Sequence, residues 1–167
     1  MSKFVNGVSS EEVELAKKIK SKSIMLNEIS INQRGVMLQK FVSEKGELDV
    51  IGGAQVQREG IRGIKGKINL ESIESNQAYV KDNSILVQNI VAHIENPIDH
   101  IKIIASIPDK SYVLLDTINQ LVLAADYSPQ FIWCLLNSKL INWYAYRFIF
   151  GKAIRTMHFD NSITSRL

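Results

Sequence analysis

A single cysteine, Cys134, leaves this 167-residue chain unable to close an internal disulfide. Its place inside the apolar run FIWCLL suggests a buried free thiol and a reducing compartment. Histidine is equally sparse: His93, His100 and His158 stand 7 and 58 residues apart, without H-E-x-x-H or C-x-x-C spacing, which argues against a metal centre. No apolar window reaches the roughly 18 residues a membrane helix requires. The first residues, MSKFVNGVSSEE, lack the apolar core of a signal peptide, so the expected location is cytoplasmic.

Nucleotide and catalytic motifs are missing too. Neither G-x-G-x-x-G nor G-x-x-x-x-G-K-[ST] occurs, no serine sits in G-x-S-x-G, and no nucleophile stands beside a base. The adjacent acids Glu11 and Glu12 lie in a helix first turn, where they complement the macrodipole. No catalytic constellation is found, and the expectation for this chain alone is binding, not catalysis.

With 46% hydrophobic and 22% charged residues, the composition is that of a globular protein, long enough to bury a sizeable core as one domain over 1–167. The formal charge of +3 is unevenly spread. From Ser128 to Leu167 five Lys or Arg face one acid, whereas the remaining residues carry fifteen against sixteen. Positive charge is local, and distribution speaks to partners more than the total does.

Three regions divide the chain: a lead-in over 1–48, a strand-rich part over 49–127 and a helix pair with a basic tail over 128–167. Ser9-Ser10-Glu11-Glu12 offers a capping box for a short helix through Val13, Ala16 and Ile19. The lysines that close it, Lys17 to Lys22, read as a solvated helix end. Alternation over IMLNEISIN suggests a strand, NQRG a turn or loop, and SEKG a charged turn before a strand from Leu48 to Ile51. Residues 69–83 are polar and irregular. The runs 85–94, 100–108, 112–118 and 120–125 read as strands, with turns at Asn96-Pro97, Pro108-Asp109-Lys110 and Asn119-Gln120. Ser128-Pro129 starts one helix, Ser138 a second, and Gly151 permits a left-handed end. The expected fold is α+β: a curved, mostly antiparallel sheet region with an N-terminal helix and a C-terminal helix pair packed on it.

Two segments invite a nucleic-acid partner. Over 52–67 five glycines alternate with Arg58, Arg62, Lys65 and Lys67, so backbone can approach closely while cations meet phosphates. Gln55 and Gln57 add amides able to read base edges. A glycine-punctuated surface hairpin with solvated charges is the plainer alternative. After Phe150, Lys152, Arg155 and His158 follow in a basic turn. A protein-interaction module, with Trp133, Trp143, Tyr144 and Tyr146 as an exposed anchor patch, is the competing reading.

The string LLNSKLINWYAYRFIFGKAIRTMHFDN resembles the signature of the TaqI-like C-terminal specificity domain. That is the target recognition domain of adenine-N6 DNA methyltransferases and of fused type IIG restriction-modification enzymes. In that family a helical L-L-N-S-K-L motif precedes an aromatic helix and a basic turn. VIGGAQVQREGIRG is similar to the family's strand-then-G-x-x-I-x-R-Y-G segment, with Gly53, Val56 and Arg58 in place and Glu59 where tyrosine is common.

The resemblance covers Val50 to Leu167 and implies sequence-specific recognition of double-stranded DNA that positions an adenine for methylation. Arg58, Arg62, Lys65, Lys67, Lys152 and Arg155 would be phosphate or base contacts, and Gln55, Gln57 and His158 base readers. The N/D-P-P-Y/F motif that holds an extruded adenine is missing, as is a glycine loop for S-adenosylmethionine. The expectation is a recognition part whose cofactor and catalysis belong to a methyltransferase domain outside these residues.

Overall fold

The computed structural model describes residues 7–152 and 156–167. In chain order the elements begin with α1 (Ser10–Lys20), α2 (Leu26–Ile29), β1 (Ser30–Arg34) and β2 (Leu48–Ile51). Next come β3 (Val56–Gln57), β4 (Gly60–Ile61), β5 (Gly66–Ile68), β6 (Ser84–Gln88), β7 (Ile90–Ile94) and β8 (His100–Lys102). Then follow β9 (Ala105–Ser106), β10 (Val113–Leu114), β11 (Ile118–Leu123), α3 (Pro129–Asn137), α4 (Lys139–Tyr144), β12 (Met157–His158) and α5 (Asn161–Thr164). The fold is α+β, and its strand pairings are antiparallel except for the β2–β10 pair. None of the described helices is long and apolar enough to cross a membrane.

A four-stranded sheet runs in the order β1-β11-β6-β9. Ile85, Val87 and Leu121 lie on it and share one apolar cluster with Ile132, Leu136, Ile149 and the fully buried Phe159. The helix pair and the last strand therefore close over this sheet. Two smaller clusters fill the region of the β10-β2-β5 sheet, one around Val50, Ile68 and Val113, the other around Ile51, Leu86 and Leu114. The third sheet, β12-β7-β8, carries the start of the C-terminal tail.

Local sequence explains the helix starts. Ser9 and Glu12 form the capping box of α1, each side chain bonded to the other's backbone N–H. Ser128 Oγ accepts from Phe131 N, with Pro129 at the first helical position. Ser138 Oγ accepts from Ile141 N and separates α3 from α4, as its hydroxyl suggests. After α4 the helix widens into one turn over Ala145–Ile149 and stops before Gly151, whose φ is +60°.

Five expectations need correction. The run over 24–32 is not one strand: Leu26 and Ile29, three apart, bury together as α2, and β1 begins only at Ser30. The anticipated NQRG loop is mostly strand, because Asn32, Gln33 and Arg34 pair with Leu121, Gln120 and Asn119. Asn119-Gln120 is no turn but the buried middle of β11; the chain turns at Asp116-Thr117 instead. Gln120 Oε1 accepts from Lys81 N at 2.5 Å and its Nε2 donates to Tyr79 O, so distant backbone satisfies a side chain that usually favours the surface. Cys134 is exposed, since the face of α3 turned inward is the one bearing Ile132 and Leu136. The run over 85–94 is also divided, into β6 and β7, by Asn89.

Candidate nucleic-acid interface

Strand β2 ends on Gly52-Gly53, and both glycines lie close against Thr117. A Cβ on Gly53 would come within 2.9 Å of the Thr117 carbonyl oxygen, one on Gly52 within 3.1 Å of Thr117 Oγ1. That closeness lets Gly53 N donate to Thr117 Oγ1 at 2.9 Å, while Gly52 N donates to Gln55 Oε1 at 3.0 Å. Thr117 O in turn accepts from Asn89 N at 2.9 Å. Asn89 Nδ2 donates to His158 Nδ1 at 3.1 Å, and Asn89 O accepts from Phe159 N at 2.7 Å. Segments a hundred residues apart in sequence are thus joined through two intermediates, Thr117 and Asn89.

Two hollows flank this connection. One, of about 330 Å³, is bordered by Gly52, Gln55, Lys65, Gln88, Ile90 and Thr117. The other, of about 340 Å³, is lined by Asn32, Arg34, Asn89, Asn119, His158 and Asn161, with Asp160 at its edge. Ile90, half exposed, pairs with His158 across β7 and β12 and stands between them. The surface is rich in carboxamides. Asn32 and Asn119 both donate to Phe159 O, which leaves their buried Oδ1 atoms without a partner.

The anticipated site residues separate into distinct groups. Gln55, Lys65 and His158 border the two hollows. Lys65 is exposed and forms no salt bridge among the described residues, its backbone N–H donating to Val50 O. Gln57 and Arg62 lie on or beside the adjoining β3–β4 hairpin, where Gln57 Nε2 donates to Ala54 O and Arg62 makes a loose, exposed ion pair with Glu59 at 3.5 Å.

Others point elsewhere. Arg58 is turned toward the β8–β9 link, donating to Ile103 O at 3.0 Å, while its own carbonyl accepts from Trp133 Nε1. Lys67 pairs with Asp49 at 3.5 Å. The hydrogen bond from Lys110, together with Lys67, holds the Asp49 carboxyl below its ordinary value, although partial burial acts the other way. Lys152 donates to Gly7 O at 2.6 Å, beside α1. Arg155 lies outside the described residues.

Sequence reading missed Arg34, Gln88, Asn89, Thr117 and Asn119. A usable signal existed for the amides: Asn119-Gln120 interrupts an apolar run without turning the chain and Gln88-Asn89 marks the bend between two strands, and polar side chains buried at such places must be satisfied by something. Among the aromatics, Tyr146 is buried and Trp133, Trp143 and Tyr144 are half-buried. No group of three or more His, Cys, Asp or Glu able to hold a metal occurs among the described residues.

No protein-family model matches the sequence, and none of the curated proteins is measurably similar to it. The function is therefore argued from this surface.

Proposed function

We propose that the chain recognises double-stranded DNA in a sequence-dependent way and directs a partner methyltransferase domain to an adenine. The observation that carries the reading is the Gly53–Thr117–Asn89–His158 connection, which sets the glycine-rich segment and the C-terminal tail on one amide-rich surface. Carboxamides and imidazole present both donors and acceptors, the chemistry that distinguishes base edges, while cations position the phosphates. Lys65 is available for that role. Arg62 can exchange Glu59 for a phosphate at little cost, because an exposed ion pair contributes little.

Arg58, Lys67 and Lys152, already engaged within the fold, act mainly by holding the surface in place. S-adenosylmethionine and the transfer chemistry belong to the methyltransferase partner. Incubated with duplex and labelled S-adenosylmethionine, the chain alone transfers no methyl group; transfer would overturn that division of labour.

The test is selection from a randomised duplex pool, followed by fluorescence anisotropy at several salt concentrations. A recovered motif supports the reading. Arg62→Ala and Lys65→Ala should each reduce the salt slope by about 1. Absence of duplex binding at low salt refutes the proposal.

A further inference from the structure

A third cavity, of about 430 Å³, lies between β8 with its preceding loop and the α3–α4 corner with α4, and it shares no lining residue with the two amide-rich hollows. Its walls are apolar: Pro97, Ile98, Ile101, Trp143 and Tyr146. Ile98 is 76% exposed at the opening, an apolar side chain with no cover. Four cations, Arg58, Lys102, Lys139 and Arg147, also line the cavity, against one carboxylate, Asp99.

Those cations are not equivalent. Arg147 is neutralised by Glu12 at 3.1 Å. Lys102 and Lys139 are exposed and form no salt bridge among the described residues. Arg58 Nε is buried and has no hydrogen-bond partner, a condition that costs free energy unless an acceptor arrives.

The walls are held in place from behind. Asn142 accepts from Ile103 N at 2.6 Å and donates to Leu136 O and Ser138 O, which locks the α3–α4 corner against the β8–β9 link. A cavity of this volume, apolar inside, with a few convergent polar groups, has the character of a small-molecule site. We propose that it binds an amphipathic anion: an apolar body lying against Ile101, Trp143 and Tyr146, with a carboxylate or phosphate head at Lys102 and Lys139. The apolar lining supplies affinity by leaving water, and the excess of cations selects the charged end. The inference does not depend on DNA recognition.

The experiment uses the whole chain with Trp133→Phe, so that fluorescence reports from Trp143 at the cavity. Decanoate and decyl phosphate are titrated below their micelle concentrations, beside decanol, which has the chain without the charge, and acetate, which has the charge without the chain. Saturable binding of a charged probe, at least roughly tenfold tighter than decanol and acetate, is expected; the two heads then show which anion is preferred. Lys102→Ala with Lys139→Ala should weaken it roughly tenfold or more, the loss of a charge-assisted hydrogen bond, and Ile98→Glu should weaken it likewise by placing a like charge at the opening. Equal affinity for decanol, no saturable binding of either anion, or indifference to both lysines overturns the proposal. Lys102, Lys139 and Ile98 are exposed, so their substitutions preserve folding. Trp133 is half-buried and donates to Arg58 O and Ala105 O, so the titration is repeated by calorimetry on the chain with Trp133 intact, which keeps a negative result informative.

Discussion

Asn137 meets Ala105 as a neighbouring strand would: its Oδ1 accepts from Ala105 N at 3.2 Å, and its Nδ2 donates to Ala105 O at 2.9 Å. β9 pairs with β6 through its other edge, so one carboxamide from the end of α3 closes what would be an open border of the four-stranded sheet. Asn137 Nδ2 also donates to Trp133 O, which fixes the amide orientation.

Asn137→Leu leaves the buried Ala105 N–H unpaired, while Ala105 O keeps the hydrogen bond from Trp133 Nε1 at 3.0 Å, and the expected loss is about 1–3 kcal/mol. Asn137→Asp retains the acceptor but loses both donated bonds, and should also destabilise. Urea unfolding of the three proteins checks this; an unchanged midpoint for Asn137→Leu would show that water replaces the amide without cost.

Phe159, in the C-terminal tail, is the largest fully buried side chain among the described residues. Phe159→Ala should cost about 3–5 kcal/mol, and because Phe159 N donates to Asn89 O, the loss should also loosen His158. Thermal unfolding gives the first effect, and amide exchange at Asn89 and His158 the second.

At Gly35 a Cβ would overlap the Leu114 and Leu115 carbonyl oxygens, where β1 runs into the Val36–Leu115 bridge. Gly35→Ala therefore forces backbone apart and should cost about 1–3 kcal/mol, measurable in the same unfolding assay. A neutral result would show that the strand end shifts freely.

Tyr112 gives a prediction in alkali. Burial, reinforced by its hydrogen bond to Asp109 at 2.8 Å, pushes its pKa from 10.0 up to about 12. The folded value lies above the unfolded one, so the associated stability is whole below pH 10.0 and is lost as pH rises through about 12. In urea titrations across that window, Tyr112→Phe should show a flatter decline than the parent protein. Parallel declines would mean that Tyr112 ionises normally.

How legible these features were in the sequence depended on how far away the partner lay. Ser9, Ser128 and Ser138 cap N–H groups three residues on, and all three helix starts were readable from spacing alone. Asn119 and Gln120 find their acceptors about 40 residues away, at Phe159 and Tyr79, so local propensity put a turn where a strand runs. The candidate surface divides the same way. Cations and glycines announced themselves by type, but nothing local revealed that Lys152 reaches Gly7, or that Thr117 and Asn89 join the two segments.

Thr117 gives this joining a further meaning. Its hydroxyl and its carbonyl hold the glycine turn and Asn89 at once, and both positions sit directly at strand ends, Gly53 just after β2 and Asn89 between β6 and β7. Such a surface arrives already ordered, so little conformational entropy is lost when a partner docks. It also has little room to yield. Under the proposed DNA reading, a duplex of the wrong local shape would have to bend or twist to fit, and the cost of that deformation would fall on the DNA, giving discrimination even at base pairs no side chain touches.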